Sequence, residues 1–163
     1  MPAIVFESNT GFTRRYAEML SEKTDYEMYY IRKGIEELPK STEIFFLGWV
    51  CGGKIEGLRL AQKYFDVVGC AAVGASAPSP ENTAQIIRAN KINMPFFYLR
   101  GGVAPDKLTP IKRKLLDMIA NQIERDPRTT RENWDLADTL RFGGDFVKEE
   151  NLAEILAWFE AQK

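Results

Sequence analysis

Apolar runs alternate along the chain with segments in which apolar residues recur at every third or fourth position. Five short runs predict β-strands: residues 3–6, 26–31, 44–47, 67–74 and 96–99. The run 44–47 is apolar throughout, as expected for a central strand that is covered on both faces, and the run 67–74 consists of small residues. The run 26–31 instead alternates large apolar with polar groups, which predicts an edge strand. We expect Gly48 to end the third strand.

The segments with helical periodicity predict helices between and after these strands. Their apolar positions are Phe12, Tyr16, Met19 and Leu20; Leu58, Ala61 and Phe65; Ala84, Ile87 and Ile92; Leu108, Ile111, Leu115, Met118, Ile119 and Ile123; and Leu152, Ile155, Leu156 and Phe159. The third helix is expected to start at 79–82 and to stop before Pro95, and Pro105-Asp106 is expected to open the fourth. Residues 38–41 predict a loop, and we interpret the polar stretch 125–146 as an ordered insertion.

Strands that alternate with helices predict an α/β fold with a parallel, doubly wound sheet in the order 2-1-3-4-5, in one domain spanning residues 1–163. A ligand of such a sheet binds at the carboxyl ends of the strands, where the strand order reverses. In this order the reversal falls between the first and third strands. The loops 7–13 and 48–54 meet there, and the loop 74–81 lies beside them.

The composition of the chain argues against several classes of function. The chain has 22 basic and 23 acidic residues and lacks a basic tract with interleaved aromatics, so no nucleic-acid partner is expected. It has no apolar stretch of membrane-spanning length and no secretion signal at its start, so we expect a cytoplasmic protein with no membrane span. The absence of histidine excludes a histidine base. With two cysteines only, no metal site and no catalytic residue is predicted.

A hydroxyl-rich turn follows the first strand and precedes the first helix. It consists of Ser8, Asn9, Thr10, Gly11, Phe12 and Thr13. Hydroxyl groups, free backbone N–H groups and the positive end of the helix dipole favour a phosphate here. The turn contains no lysine, so we expect neutral donors to hold the phosphate, which suits a bound monophosphate. An ordinary helix cap is the alternative, although a cap needs one such residue and not three.

Two further loops predict a site for a flat, polar-edged ring beside this turn. The residues that we expect to contribute are Gly48, Trp49, Val50, Cys51, Gly52 and Gly53 from one loop and Ala75, Ser76 and Pro78 from the other. Trp49 either stacks on the ring or covers the sheet edge. Gly52-Gly53 is either a plain turn or a site where the peptide flips toward a ring nitrogen, and Cys51 is interpreted as a small loop residue. A phosphate site beside a ring site suggests a mononucleotide.

The segment Ser8-Asn9-Thr10-Gly11-Phe12-Thr13 resembles the [ST]-x-T-G-x-T phosphate signature of the flavodoxin-like FMN-binding family. The resemblance implies a three-layer α/β/α sandwich. It places the FMN phosphate on the hydroxyls of Ser8, Thr10 and Thr13 and on the amides of Asn9, Gly11 and Phe12, with the isoalloxazine between loops 48–54 and 74–78. Residues 96–102, the long helix and residues 144–147 resemble a bacterial branch labelled flavodoxin-domain or menaquinone-dependent protoporphyrinogen oxidase-like.

The chain departs from classical flavodoxins because residues 74–80 contain neither a tyrosine nor an acidic residue. Fewer acidic neighbours, with Lys54 and Arg100 nearby, predict a less negative reduction potential. The resemblance implies a redox protein that transfers electrons between a reductase and an acceptor enzyme. Two alternatives stay open: an FMN-dependent oxidoreductase acting on a porphyrinogen or a quinone-type substrate, and a flavin-free binding module.

Overall fold

The computed structural model of the protein describes residues 2–163. The strands are β1 (Ala3–Phe6), β2 (Met28–Tyr30), β3 (Glu43–Cys51), β4 (Lys54–Ile55), β5 (Asp66–Gly74), β6 (Phe96–Arg100), β7 (Gly102–Val103) and β8 (Gly144–Asp145). The helices are α1 (Phe12–Thr24), α2 (Ile31–Glu37), α3 (Leu58–Tyr64), α4 (Pro80–Asn90), α5 (Pro110–Arg125), α6 (Arg131–Phe142) and α7 (Ala153–Ala161), with 3₁₀ turns at Pro105–Lys107 and Glu149–Leu152.

The central sheet has the predicted topology. Its parallel strands follow the order β2-β1-β3-β5-β6, which is the predicted 2-1-3-4-5 when the parallel strands are counted along the chain. Helices flank the sheet, so the α/β class and the flavodoxin-like three-layer sandwich are confirmed. Among residues 2–163, no helix combines the length and the apolar character that crossing a membrane requires.

Two apolar cores lie on opposite faces of the sheet because successive side chains of a strand point in opposite directions. On one face, Ile4 and Phe45 pack with residues of α1 and α7, including the buried Tyr16 and Phe159. On the other face, Val5 and its neighbours pack with residues of α2, α3 and α4. This twofold burial explains why the central strands are apolar throughout.

The prediction that Gly48 ends the third strand is wrong. β3 continues to Cys51, because Val50 and Cys51 pair with the antiparallel β4 and Trp49 accepts a hydrogen bond from Glu56 N at 2.9 Å. Gly48 is required for close packing instead: a Cβ there would lie 2.4 Å from the Glu56 carbonyl oxygen.

The edge strand and the start of the long helix also differ from the prediction. The edge strand is shorter than 26–31, and the buried Ile31 opens α2, a helix that the sequence pattern did not reveal. The long helix starts at Pro110 rather than at Pro105, because the Thr109 side chain caps it by accepting a hydrogen bond from Lys112 N at 3.3 Å.

Candidate functional site

The hydroxyl-rich turn follows the carboxyl end of β1. In the sheet, β1 is flanked by β2 and β3, so the turn lies at the switch point between β1 and β3. Gly11 adopts φ +101°, a conformation that glycine accepts readily, and it directs the chain into α1. Ser8 Oγ accepts a hydrogen bond from Arg14 N at 3.3 Å. Within residues 2–163, the backbone N–H groups of residues 9–13 have no hydrogen-bond partner. The turn therefore presents a row of free donors at the positive end of the helix dipole.

A cation from outside the turn lies beside it, although the turn itself contains no lysine. Lys107 Nζ donates to the Thr10 carbonyl oxygen at 3.4 Å, and within the described chain no carboxylate lies within ion-pair distance of it. Arg14 also borders the outer side of the turn, but it pairs with Glu18 at 2.9 Å. Lys107 comes from the 3₁₀ turn before α5, so its position depends on a long-range contact that the local motif does not encode.

A cleft of about 280 Å³ adjoins the inner side of the turn. The predicted site residues that line it are Ser8, Asn9, Thr10, Phe12, Thr13, Trp49, Val50, Cys51 and Ala75. The turn, the end of β3 and the loop after β5 therefore meet at one place, as the predicted topology requires. The volume is close to the lower end of the range of small-molecule pockets, roughly 300 Å³.

The other predicted residues do not line this cleft. They are Gly11, which borders grooves on the outer side of the turn, and Gly48, Gly52, Gly53, Ser76 and Pro78. Gly48 is buried within β3, and Pro78 is exposed. Gly52 and Gly53, with φ +57° and +80°, form the tight turn between β3 and β4.

The outer wall of the cleft comes from residues that the sequence interpretation did not assign to a site. They are Gly102, Val103, Ala104, Leu108, Lys112, Leu115, Leu116 and Leu140. Most of them belong to α5 and the segment before it, and Leu140 belongs to α6. Their aliphatic side chains are indistinguishable in sequence from ordinary core residues. The segment 125–146 thus takes part in the cleft through α6.

Lys54 does not line the cleft, so the expectation that it acts on a bound ring is not supported by its position. Its ammonium group donates to the Ala89 carbonyl at the end of α4. The neighbouring Asn90 donates to the Gly53 carbonyl at 2.9 Å and accepts from Ile55 N at 2.9 Å. These contacts attach the β3–β4 hairpin to α4. Among the described residues that line the cleft, the cation is Lys112.

Arg100 connects the loop after β5 to α6. Its Nε donates to the Ala75 carbonyl at 3.2 Å, its Nη2 pairs with Asp135 at 2.7 Å, and its Cζ lies 3.5 Å from the Phe146 ring centroid. The Arg100 side chain is only 16% exposed. Because its charge is paired with Asp135, Arg100 contributes less to the potential in the cleft than a free cation would.

Tyr98 fixes the loop that follows β5. Its hydroxyl donates to the Ser76 carbonyl at 2.7 Å, and burial raises the pKa of Tyr98 to about 12. Tyr98 also explains Gly74, because a Cβ there would lie 2.7 Å from the Tyr98 hydroxyl. This hydrogen bond ties the loop to β6, and the small Gly74 and Ala75 are its residues that line the cleft.

Ionisable chemistry in the cleft is sparse. In the part of the chain that the structure describes, the ionisable side chains that line it are Cys51 and Lys112. Cys51 is an exposed free thiol, whereas Cys70 is buried and burial raises the pKa of its thiol to about 12. Residues 2–163 contain no cluster of three or more cysteine, aspartate or glutamate side chains suited to a metal ion. The cleft offers binding surface and a single amine, but no carboxylate or phenol to transfer protons.

Comparison of the chain with models of known protein families and with curated proteins finds no match.

Proposed function

We propose that the protein binds FMN and is a redox protein that transfers electrons between a reductase and an acceptor enzyme. One observation carries the proposal: the unpaired N–H groups of residues 9–13 lie directly beside a cleft that is mostly apolar. An anion site joined to an apolar cleft fits a ligand with a phosphate at one end and a flat ring at the other.

The residues present fit the phosphate end of FMN. The amides of residues 9–13 would donate to phosphate oxygens, and the hydroxyl of Thr10, which borders the cleft, would add a donor. Lys107 would supply a positive charge from outside the turn. Hydrogen bonds to a charged group contribute about 1.5–3 kcal/mol each, so the loss of one is measurable.

The ring end would lie against Trp49, Val50 and Ala75. The indole of Trp49 offers an aromatic face, and the small Ala75 permits close approach of the backbone. Lys112 on the opposite wall favours added negative charge in the cleft, which supports the expectation of a less negative reduction potential. When bound, FMN would supply the electron-transfer chemistry, and the chain would set its affinity, surroundings and access.

The outer wall favours a second candidate function. Leu108, Leu115, Leu116 and Leu140 give the cleft an aliphatic side that an electron carrier does not need. Such a wall suits a bulky apolar substrate beside the ring, so an FMN-dependent oxidoreductase acting on a porphyrinogen or quinone-type substrate is the alternative. The absence of a carboxylate or phenol among the described lining residues favours the electron carrier.

Reconstitution with FMN tests both candidates. We expect the purified chain to bind FMN and to show flavin absorbance. In anaerobic stopped-flow experiments, an electron carrier is reduced rapidly by a flavodoxin reductase and slowly by a porphyrinogen or quinol alone. Rapid reduction by the porphyrinogen or quinol without a reductase supports the second function. A colourless chain that does not bind added FMN contradicts both and leaves the flavin-free binding module.

A further inference from the structure

Helix α5 exposes an apolar stripe that the fold does not cover. Its members are Ile111, Leu115, Met118 and Ile119, which are 83%, 54%, 53% and 37% exposed. Their spacing of three and four residues places them along one side of the helix. The buried Ala120 and the partly buried Leu116 and Ile123 form the side that packs on the protein. Contiguous exposed apolar surface of this kind is typical of an interaction site.

Basic side chains border the stripe on both sides. Lys114 lies three residues after Ile111 and four before Met118, and Lys112 lies three residues before Leu115, so both are neighbours of the stripe on the helix surface. Arg125 follows Met118 by two helical turns. Within the described chain, none of these cations has a carboxylate within 4.0 Å.

The acidic residues of α5 lie away from the stripe. Glu124 pairs with Arg141 of α6, and Asp117 borders the pocket between α5 and α6. The partner that covers the stripe therefore meets apolar side chains and uncompensated positive charge. The overall charge of −1 conceals this local asymmetry.

The chemistry of the stripe distinguishes between possible occupants. Protein interfaces are enriched in aromatic residues, methionine and arginine and depleted in lysine, whereas this stripe has no aromatic residue and one methionine, and two lysines lie beside it. A second copy of the chain would bring one basic-flanked face against another, which like-charge repulsion disfavours. Aliphatic residues flanked by lysine and arginine are typical of helices that lie in the interface of an anionic bilayer.

We propose that α5 is a docking surface for an anionic phospholipid bilayer. The stripe enters the boundary between headgroups and acyl chains, and Lys112, Lys114 and Arg125 contact the headgroup phosphates. Because Lys112 and Leu115 also line the cleft, docking brings the mouth of the cleft to the membrane surface. The proposal does not depend on the identity of the ligand in the cleft.

Vesicle flotation tests this proposal with the full chain. We expect the protein to float with vesicles of equal parts phosphatidylglycerol and phosphatidylcholine, but not with phosphatidylcholine alone, at roughly 0.1 M salt. The double variants Ile111→Ser/Met118→Ser and Lys114→Gln/Arg125→Gln should each lower partitioning on the order of tenfold. The matched control Lys40→Gln/Lys91→Gln removes two exposed lysines elsewhere and should float like the wild type.

Circular dichroism and light scattering accompany each variant, and because every substitution is at an exposed position we expect all of them to fold. The proposal is overturned if the wild type does not float with anionic vesicles, or if the α5 variants and the control float equally. It is also overturned if the wild type is a dimer that Ile111→Ser/Met118→Ser separates, since a second copy then covers the stripe.

Discussion

Replacement of Thr10 by valine removes one hydroxyl from the turn while preserving the volume and branching of the side chain. Thr10 lines the cleft, and within residues 2–163 its hydroxyl has no hydrogen-bond partner that valine would disrupt. Apo-protein stability should therefore change little. If the hydroxyl donates to a phosphate, its loss costs about 1.5–3 kcal/mol of binding free energy, which is roughly a tenfold to hundredfold rise in Kd.

Quenching of flavin fluorescence measures this Kd for FMN and for riboflavin, which lacks the phosphate. We expect Thr10→Val to weaken FMN binding and to leave riboflavin binding unchanged. Thr83→Val is the matched control, because Thr83 lies in the first turn of α4 and does not border the cleft. Equal FMN affinities for Thr10→Val and the wild type would refute the assignment of the phosphate to this turn, as would an equal loss for riboflavin.

Three further predictions follow from the surroundings of the site. Lys107→Gln should weaken FMN binding by roughly threefold in dilute buffer, and the difference should disappear at high salt, as titrations at two ionic strengths will determine. Maleimide should label the exposed Cys51 and leave the buried Cys70 unreacted. Because Cys51 borders the cleft, bound FMN should slow its labelling. Mass spectrometry of the labelled peptides tests both points, and labelling of Cys70 in the native chain would contradict the first. The pKa of Tyr98 is about 12 in the folded chain and about 10 when unfolded, so its contribution to stability is complete below about pH 10 and is lost as the pH rises toward 12. Urea unfolding at pH values on either side of 10 should show this loss, and Tyr98→Phe should show a smaller one.

Much of the fold was predictable because its signals are local. Strands buried on both faces are apolar throughout, so 44–47 and 67–74 were recognisable from composition alone. The alternation of strands and helices predicted a parallel, doubly wound sheet, and 2-1-3-4-5 is one of the common strand orders of such sheets. The short α2 escaped prediction because its seven residues present only a few apolar positions, too few to define a period.

The site was predictable where it depends on chain order and not where it depends on long-range contacts. The turn at 8–13 and Trp49 reach one cleft because parallel strands end at the same edge of the sheet. Lys107 and the leucines of α5 reach it through packing of residues about a hundred positions later, which periodicity does not encode. For the same reason the sequence did not reveal that Lys54 binds the end of α4.

The exposed face of α5 shows a further limit of sequence patterns. The spacing of apolar residues identified the helix. The same spacing occurs on a face that packs on the core and on a face that stays exposed, so it does not tell the two apart. Here Leu116 and Ala120 belong to the packed side, whereas Ile111 and Met118 are exposed. Only the three-dimensional structure distinguishes these two sides.

The central claim is that the free amides of the turn hold a phosphate, and NMR of the ¹⁵N-labelled chain during FMN titration tests it most directly. We predict that the amide resonances of residues 9–13 move downfield more than those of any other segment, because these groups exchange water for charged phosphate oxygens. If these resonances stay in place while FMN binds and another segment responds, the phosphate is held elsewhere and the account is contradicted.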